Sequence, residues 1–167
     1  LALEYQLFGQ IRQDIQGHIT AMQQTARAIA RIDCLYSLAC AAHDNRYVRP
    51  GLNRDQVIQI KDGRHPIIEQ FLKNELFVPN DVTMNHTNHE ILVITGPNMA
   101  GKSTYMRQIA VLILMAQVGS FIPAREASIC PVDRIFTRIG ASDDILTGQS
   151  TFMVEMNEAA NILNNVS

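Results

Sequence analysis

The sequence holds only three cysteines, Cys34, Cys40 and Cys130, and no C-x-x-C pair among them. An odd number at those spacings does not make a disulfide framework or a zinc ribbon, and reads instead as buried or half-buried thiols kept reduced. Long apolar runs are missing too. The most apolar stretch, Ile109–Ala116, is far too short to cross a bilayer. No signal-peptide pattern opens the chain, so the expectation is an intracellular protein without a membrane partner, in cytoplasm or nucleoid, or in the nucleus of a eukaryote. Neither sign of charge dominates: 14 Lys and Arg stand against 16 Asp and Glu, for a net charge of −2. The closest basic groupings, Arg27/Arg31 and Arg134/Arg138, read as solvated faces, so no electrostatic footprint for nucleic acid is present. Internal repeats and low-complexity tracts are absent as well.

What is present is a chain of 167 residues, 47% hydrophobic and 18% charged, enough apolar material for a sizeable core and too much for disorder. That length fits one domain or one large piece of one. Leu1 stands in what reads as mid-helix, and Asn164-Asn165-Val166-Ser167 as a helix end. Both ends are therefore expected to be cuts in a longer polypeptide.

Residues 1–45 contain no proline and only two glycines. Ile15, Ile19, Met22, Ala26 and Ile29 recur at spacings of four and three, and Ala28, Ile32, Leu35, Ala39 and Ala42 extend the pattern on an adjacent stripe. That period predicts an amphipathic helix packing on another helix, with Gly17 the break between a first helix and a longer second one. Residues 45–88 are rich in turn signals, around a strand expected at Gln56–Lys61 and a short apolar stretch at Glu75–Val78. Glu90–Thr95 is a continuous β-branched run, as for a strand buried on both faces of a parallel sheet. A helix is predicted from Lys102 to Gln117, covered on every side, with Gly119 as its stop and Pro123 beyond. Strands are expected at Ala127–Cys130 and Arg134–Ile139. A polar loop, Gly140–Gln149, then leads to a last helix from Ser150, with Phe152, Met156, Ala159 and Leu163 on one face.

Between the β-branched run and the helix lies Gly96-Pro97-Asn98-Met99-Ala100-Gly101-Lys102-Ser103, which fits G-x-x-x-x-G-K-[ST]. A random chain this long matches by chance with a probability of about half a percent, and the strand-to-helix setting is the one the mechanism needs. Gly96 and Gly101 free the backbone so that successive N–H groups can point inward on an anion. The first turn of the helix adds unpaired donors and a positive dipole end. Lys102 would reach the β- and γ-phosphates, and the Ser103 hydroxyl is the expected Mg²⁺ ligand. Pro97 stiffens the loop, while Asn98 offers an amide to the γ-phosphate or a metal-bound water.

The stretch Ile94–Gln108 resembles the P-loop of the MutS family almost residue for residue. Three further blocks agree in order and spacing: Gly63-Arg64-His65-Pro66, Asp133–Ala141, and Ser150-Thr151-Phe152-Met153-Val154-Glu155-Met156. The resemblance implies an α/β P-loop NTPase fold of the ABC type with a mostly parallel sheet, residues 46–167 being part of that ATPase domain and 1–45 a helical lead-in from the lever region. It implies ATP or ADP with Mg²⁺ as ligands, held by Gly96–Ser103 with Thr104 beside them. Phe77 matches the position whose ring stacks on adenine, with Val78 and Asn80 adjacent; taken alone, Phe77 reads as core. Ser150 matches the signature serine that meets a γ-phosphate across a dimer, or is a plain helix N-cap; the two roles can coexist. The implied partners are a second MutS-type subunit, mismatched double-stranded DNA gripped by regions outside this chain, and a downstream mismatch-repair factor.

The sequence departs from the family in two places. Ala100 stands where glycine is common. No run of apolar strand residues leads into Asp-Glu, so the Walker B carboxylates are not in this chain and no catalytic residue is assigned. Asp133, Asp143, Asp144, Glu155 and Glu158 lack that context. The chain is therefore expected to bind nucleotide weakly, to hydrolyse it negligibly and, with open sheet edges, to be marginally stable or self-associating. His65 lies in a matched block without an assignable role. His86-x-x-His89 sits in a polar loop without further metal ligands. Competing readings are another ABC-type DNA-maintenance ATPase, a P-loop small-molecule kinase, and a structural module that has lost nucleotide binding.

Overall fold

A computed structural model of the chain describes residues 2–72, 76–138 and 151–165. It divides into two compact units, Leu1–Arg46 and Tyr47–Ser167.

The first unit is one helix, α1 (Ala2–Asp44), 43 residues long and so about 65 Å from end to end. The break expected at Gly17 does not occur. A Cβ at Gly9 or Gly17 would meet nothing within 4 Å, so both glycines sit on open helix surface and cost only propensity, about 1 kcal/mol each against alanine. The remaining residues supply enough helix preference to carry the chain through. Unit one thus holds no second helix, and the seam residues Ile15, Ile19, Met22 and Ile29 are exposed, not packed as expected. Cys34 is exposed as well, a further correction, while Cys40 and Cys130 are half-buried. Replacing Gly17 by alanine should raise helicity and stabilise α1 by about 1 kcal/mol. Circular dichroism over a thermal ramp reads this, and an unchanged or lower midpoint would contradict a continuous helix.

The second unit is built on a four-stranded sheet of order β1-β4-β2-β3, formed by β1 (Gly51–Leu52), β2 (Val57–Gly63), β3 (Asn80–Asn85) and β4 (Glu126–Ile129). The sheet is mixed, which corrects the mostly parallel expectation. β2 runs antiparallel to β3 (Ile58↔Met84, Ile60↔Val82) and to β4 (Ile58↔Ile129, Ile60↔Ala127), and only β1 and β4 are parallel. Its strands bury one face only, as antiparallel strands do when a single face meets the core. On that face Ile60, Val82 and Ile129 close over Leu112, Ile113 and Ala116 of α3 (Lys102–Gln117), with Ile122 and Ala124 completing the core. Two short helices flank this layer, α2 (Pro66–Phe71) and α4 (Thr151–Asn165).

The run Glu90–Thr95 is not a strand of this sheet. Leu92 and Ile94 are half-buried, whereas Ile91 and Val93 are 82% and 83% exposed. That alternation has the period of an extended strand. β-branched residues favour extended backbone, but a ladder also needs a neighbouring strand, and among the described residues none pairs with it.

Residues 134–138 also form no strand, and residue 139 lies outside the described residues. Helix α3 matches its predicted bounds, yet it is not covered all round: Leu114 is 55% exposed, because the sheet supplies cover on one side only. The stop at Gly119 forms as expected, its N–H donating to Ala116 O and that of Ser120 to Met115 O, which closes a Schellman turn. On α4 the half-buried positions are Val154, Glu155, Ala159 and Ile162. Of the predicted face only Ala159 is among them, and Arg138 pairs with Glu155 and Glu158 of this helix. No helix of the described residues is long and apolar enough to cross a membrane.

Candidate functional site

The G-x-x-x-x-G-K-S loop leads directly into α3. Gly101 is the N-cap residue of that helix at φ +85°, a left-handed conformation that costs a glycine little, and no side chain caps the helix there. The first-turn N–H groups are thus left to an outside acceptor, and the dipole adds positive potential at the same point. Gly96 also has a positive φ of 152°, and Met99, at φ 65°, holds a conformation a side chain resists. Ala100 N donates to Pro97 O, closing the turn. Lys102 folds back so that Nζ donates to Gly96 O at 2.6 Å and to Pro97 O at 2.7 Å. Its ammonium therefore sits over the loop, held by carbonyl oxygens that a stronger anionic acceptor can replace.

A pocket of about 530 Å³ opens beside this loop. Phe77, Val78 and Asn80 line one side, from the approach to β3 and its first residue, and Ala100, Gly101, Lys102 and Thr104 line the other. These seven residues, from two stretches about twenty positions apart in the chain, line one pocket. Gly96 and Pro97 join through their carbonyl contacts to Lys102. Asn98, Met99 and Ser103 are exposed on the loop and first turn and do not line the pocket. Ser150 lies outside the described residues. Ala100 sits in the wall itself, and its methyl is accommodated there.

The structure adds to the pocket wall residues to which the motif reading gave no role: Asp81, Ile94, Thr95, Tyr105 and Gln108. Thr104 and Tyr105 stand four and three residues before Gln108, so each neighbours it on the surface of α3, the signal that could have found them. Tyr105 donates its hydroxyl to Asp81 O at 2.7 Å and so ties the helix to β3. Burial raises its pKa, with the nearby Asp81 carboxylate adding to the shift. The Asp81 carboxyl is held below the usual range, first by the Asp62 N–H (2.8 Å) and then by Lys61 (3.2 Å). It stays an anion committed to the β2–β3 end. Asn80 donates Nδ2 to Val78 O at 2.9 Å and shapes the turn that presents Phe77 and Val78.

Gly63 is what lets this end of the sheet close. A Cβ there would meet the Gln108 amide nitrogen at 3.0 Å and Asn80 O at 3.1 Å, so a side chain at this position would push β2, β3 and α3 apart by a few tenths of an ångström. The next residues fix α2: Arg64 bonds Glu69 at 2.7 Å, and the His65 ring nitrogen Nδ1 accepts from Ile68 N. His65 is thus a structural cap, with Pro66 in the first turn. A larger cavity of about 690 Å³, lined by His65, Arg107 and Glu158 among others, shares Thr104 with the pocket beside the loop and contains no residue of the 96–103 loop.

The His65 pKa is lowered, first by burial and then by Arg107. Its folded pKa lies below the unfolded value near 6.5, so between the two the unfolded chain binds more protons. Stability from the neutral cap is complete above that value and is lost as pH falls through the folded one. Denaturant titrations from pH 7.5 to 5 should show this decline, and His65→Asn, an N-cap acceptor that does not titrate, should flatten it. An identical decline in the variant would assign the effect to another group.

The histidines of His86-x-x-His89 belong to a tight turn: Asn85 Oδ1 accepts from the N–H groups of Thr87, Asn88 and His89, and His86 faces Glu90 at 3.6 Å. Among the described residues no group of three His, Cys, Asp or Glu could hold a metal ion.

A family model described as MutS domain V matches residues 92–167. The whole chain is 58% identical over 167 residues to a DNA mismatch repair protein MutS of Alkaliphilus metalliredigens, covering all of this chain and 19% of that protein. It is 57% identical over 166 residues to the protein of the same name from Lachnoclostridium phytofermentans, and 51% identical over 166 residues to that of Clostridium perfringens, in each case covering 99% of this chain and 18% of the relative. The chain thus spans about a fifth of the length of these relatives.

Proposed function

Because the chain belongs to the MutS family and corresponds to the C-terminal part of those proteins, we propose that it is the nucleotide-holding portion of a mismatch-repair ATPase. The observation that carries this reading is the single pocket joining Phe77, Val78 and Asn80 to Lys102 at the uncapped start of α3. One side is apolar and suits a base; the other is a phosphate cradle.

In this reading the phosphates of ATP or ADP lie on the N–H groups of the loop 96–101 and of the first turn of α3. Lys102 leaves the carbonyls of Gly96 and Pro97 and donates to the β- and γ-phosphates. Phe77 stacks on the base, a contact that its half-buried ring can make without leaving the wall. The Ser103 hydroxyl, exposed on the first turn, is the chain's own ligand for a Mg²⁺ that arrives with the phosphates and balances their charge. Asn98 and Thr104 are left to orient phosphate oxygens.

No residue here is assigned to polarise the attacking water, so turnover by this chain alone is negligible. In the whole protein, ATP binding and hydrolysis would gate a dimer of MutS-type subunits on mismatched double-stranded DNA and signal to a downstream repair factor. Ser150 would meet the nucleotide of the partner subunit; that assignment rests on the resemblance alone. The test is a calorimetric titration of ADP and a non-hydrolysable ATP analogue, with and without Mg²⁺, into the chain and its Lys102→Ala variant.

A further inference from the structure

The two walls of the nucleotide pocket come from different elements, and regular structure braces only one of them. The phosphate side is the loop 96–101 with the first turn of α3, a helix fixed in the core by Leu112, Ile113 and Ala116. The base side, Phe77, Val78 and Asn80, is the approach to β3. β3 is an edge strand, paired with β2 alone, and the register between the two shifts between Ile60 and Gly63, where Asn80 begins the strand. A ladder interrupted there does not by itself fix how far residues 77–80 stand from the helix. Two contacts converge on Asp81 at this point. Its carboxylate accepts from the Asp62 N–H at 2.8 Å, which holds β3 to β2. Its main-chain oxygen accepts from the Tyr105 hydroxyl at 2.7 Å, which holds β3 to α3. Tyr105 stands three residues after Lys102, about 4.5 Å along the helix axis. One hydroxyl therefore joins the turn that carries the lysine to the strand that carries the base wall, and the Asn80 amide, donating to Val78 O at 2.9 Å, continues the tie back towards Phe77.

We propose that Tyr105 is a positioning residue: its hydroxyl sets the spacing between the phosphate cradle and the base-stacking wall, and acts on the nucleotide through Phe77 rather than by touching it. This rests on the nucleotide reading given above. A ligand that bridges both walls feels their separation, whereas a ligand confined to the cradle does not. Walls held in place beforehand spare the ligand the cost of ordering them, so loosening one weakens binding even when no contact residue is removed. The hydroxyl has a single donor, and that donor is spent on Asp81 O. The ring is half-buried and lines the pocket, so Tyr105→Phe keeps the wall and removes only the tie. Because Asp81 is exposed, water replaces the lost donor and the fold loses little.

Calorimetry with ADP and with inorganic pyrophosphate, each with Mg²⁺, compares the unaltered chain, Tyr105→Phe, Phe77→Ala and the double variant. In Tyr105→Phe the expected result is about a fivefold loss of ADP affinity, with pyrophosphate affinity within about twofold of the unaltered chain. In the Phe77→Ala background the same change should shift ADP affinity by less than about twofold, because the wall that the hydroxyl places no longer holds the base. Unchanged ADP affinity in Tyr105→Phe overturns the assignment. An equal loss for ADP and pyrophosphate also overturns it, since that is the result of a hydroxyl serving only the fold or the cradle. A fivefold loss that persists without Phe77 makes Tyr105 a direct contact and overturns its positioning role. A Tyr105→Phe chain that does not melt cooperatively assigns the hydroxyl to the fold, with the same consequence. In each of these cases the nucleotide reading stands. An unaltered chain that binds ADP no more tightly than pyrophosphate, or binds neither, removes both readings together.

Discussion

Lys102→Ala should weaken the binding of ADP and of a non-hydrolysable ATP analogue by at least about a hundredfold. The ammonium supplies the one mobile full charge of the pocket, and charge-assisted hydrogen bonds contribute about 1.5–3 kcal/mol each. Loss of roughly 3 kcal/mol corresponds to a little over two decades in Kd. The same change should leave folding nearly untouched, because the described polar contacts of Lys102 are two carbonyls of its own loop, not groups of the core. Calorimetry and a thermal melt on the same sample separate the two effects. A variant that binds as tightly as its parent would show that the loop is a turn carrying a surface lysine. A folded parent that binds nothing would mean the cradle needs groups from outside this chain, which would then best be described as a structural part of an ATPase.

The second large effect concerns the layer beneath the pocket. Leu112 is 0% exposed and packs in the cluster of Ile60, Val82, Ile122 and Ile129. Truncating it removes the side chain's transfer free energy and leaves a cavity that the sheet cannot readily fill. Leu112→Ala should therefore cost about 2–5 kcal/mol, a large fraction of the roughly 5–15 kcal/mol that holds an ordinary domain folded. Leu114, two residues on and facing outward, is the control: Leu114→Ala should change stability by no more than about 0.5 kcal/mol. Denaturant titrations of both variants give the comparison. Similar losses at the two positions would restore the picture of α3 as a helix covered on every side. Since α3 carries Lys102 at its start and Gln108 in its second turn, the Leu112 variant should lose nucleotide binding only to the extent that it unfolds.

Much of the site was legible without coordinates because its chemistry is local. The spacing of Gly96, Gly101, Lys102 and Ser103 dictates both the backbone turn and the charge beside it, and the bounds of α3 and its stop at Gly119 follow from helix preference and capping. That Phe77, Val78 and Asn80 stand next to this loop was inferred from family likeness; in the structure they line the same pocket. Asp81 lies outside every matched block, and Tyr105 and Gln108, although inside the stretch Ile94–Gln108, carry no phosphate-binding signature, so none of the three was given a role. Each is placed by the approach of β3 to α3, which Gly63 permits by lacking a side chain.

The sequence by itself determined what nearest neighbours along the chain can decide: the helical character of residues 2–44, the extended character of the β-branched run, and the glycine turn with its lysine at the start of α3. Tertiary structure alone decided which strands pair, and in which direction. Ile91 and Val93 have the composition of a doubly buried strand yet lie open, while β2, with a plainer sequence, became the central strand between β3 and β4. The physical reason is that strand preference is a property of residues, whereas a ladder and a buried face are properties of pairs. Helix α1 shows the same division, its apolar period written in the sequence and a covering surface absent within its own unit.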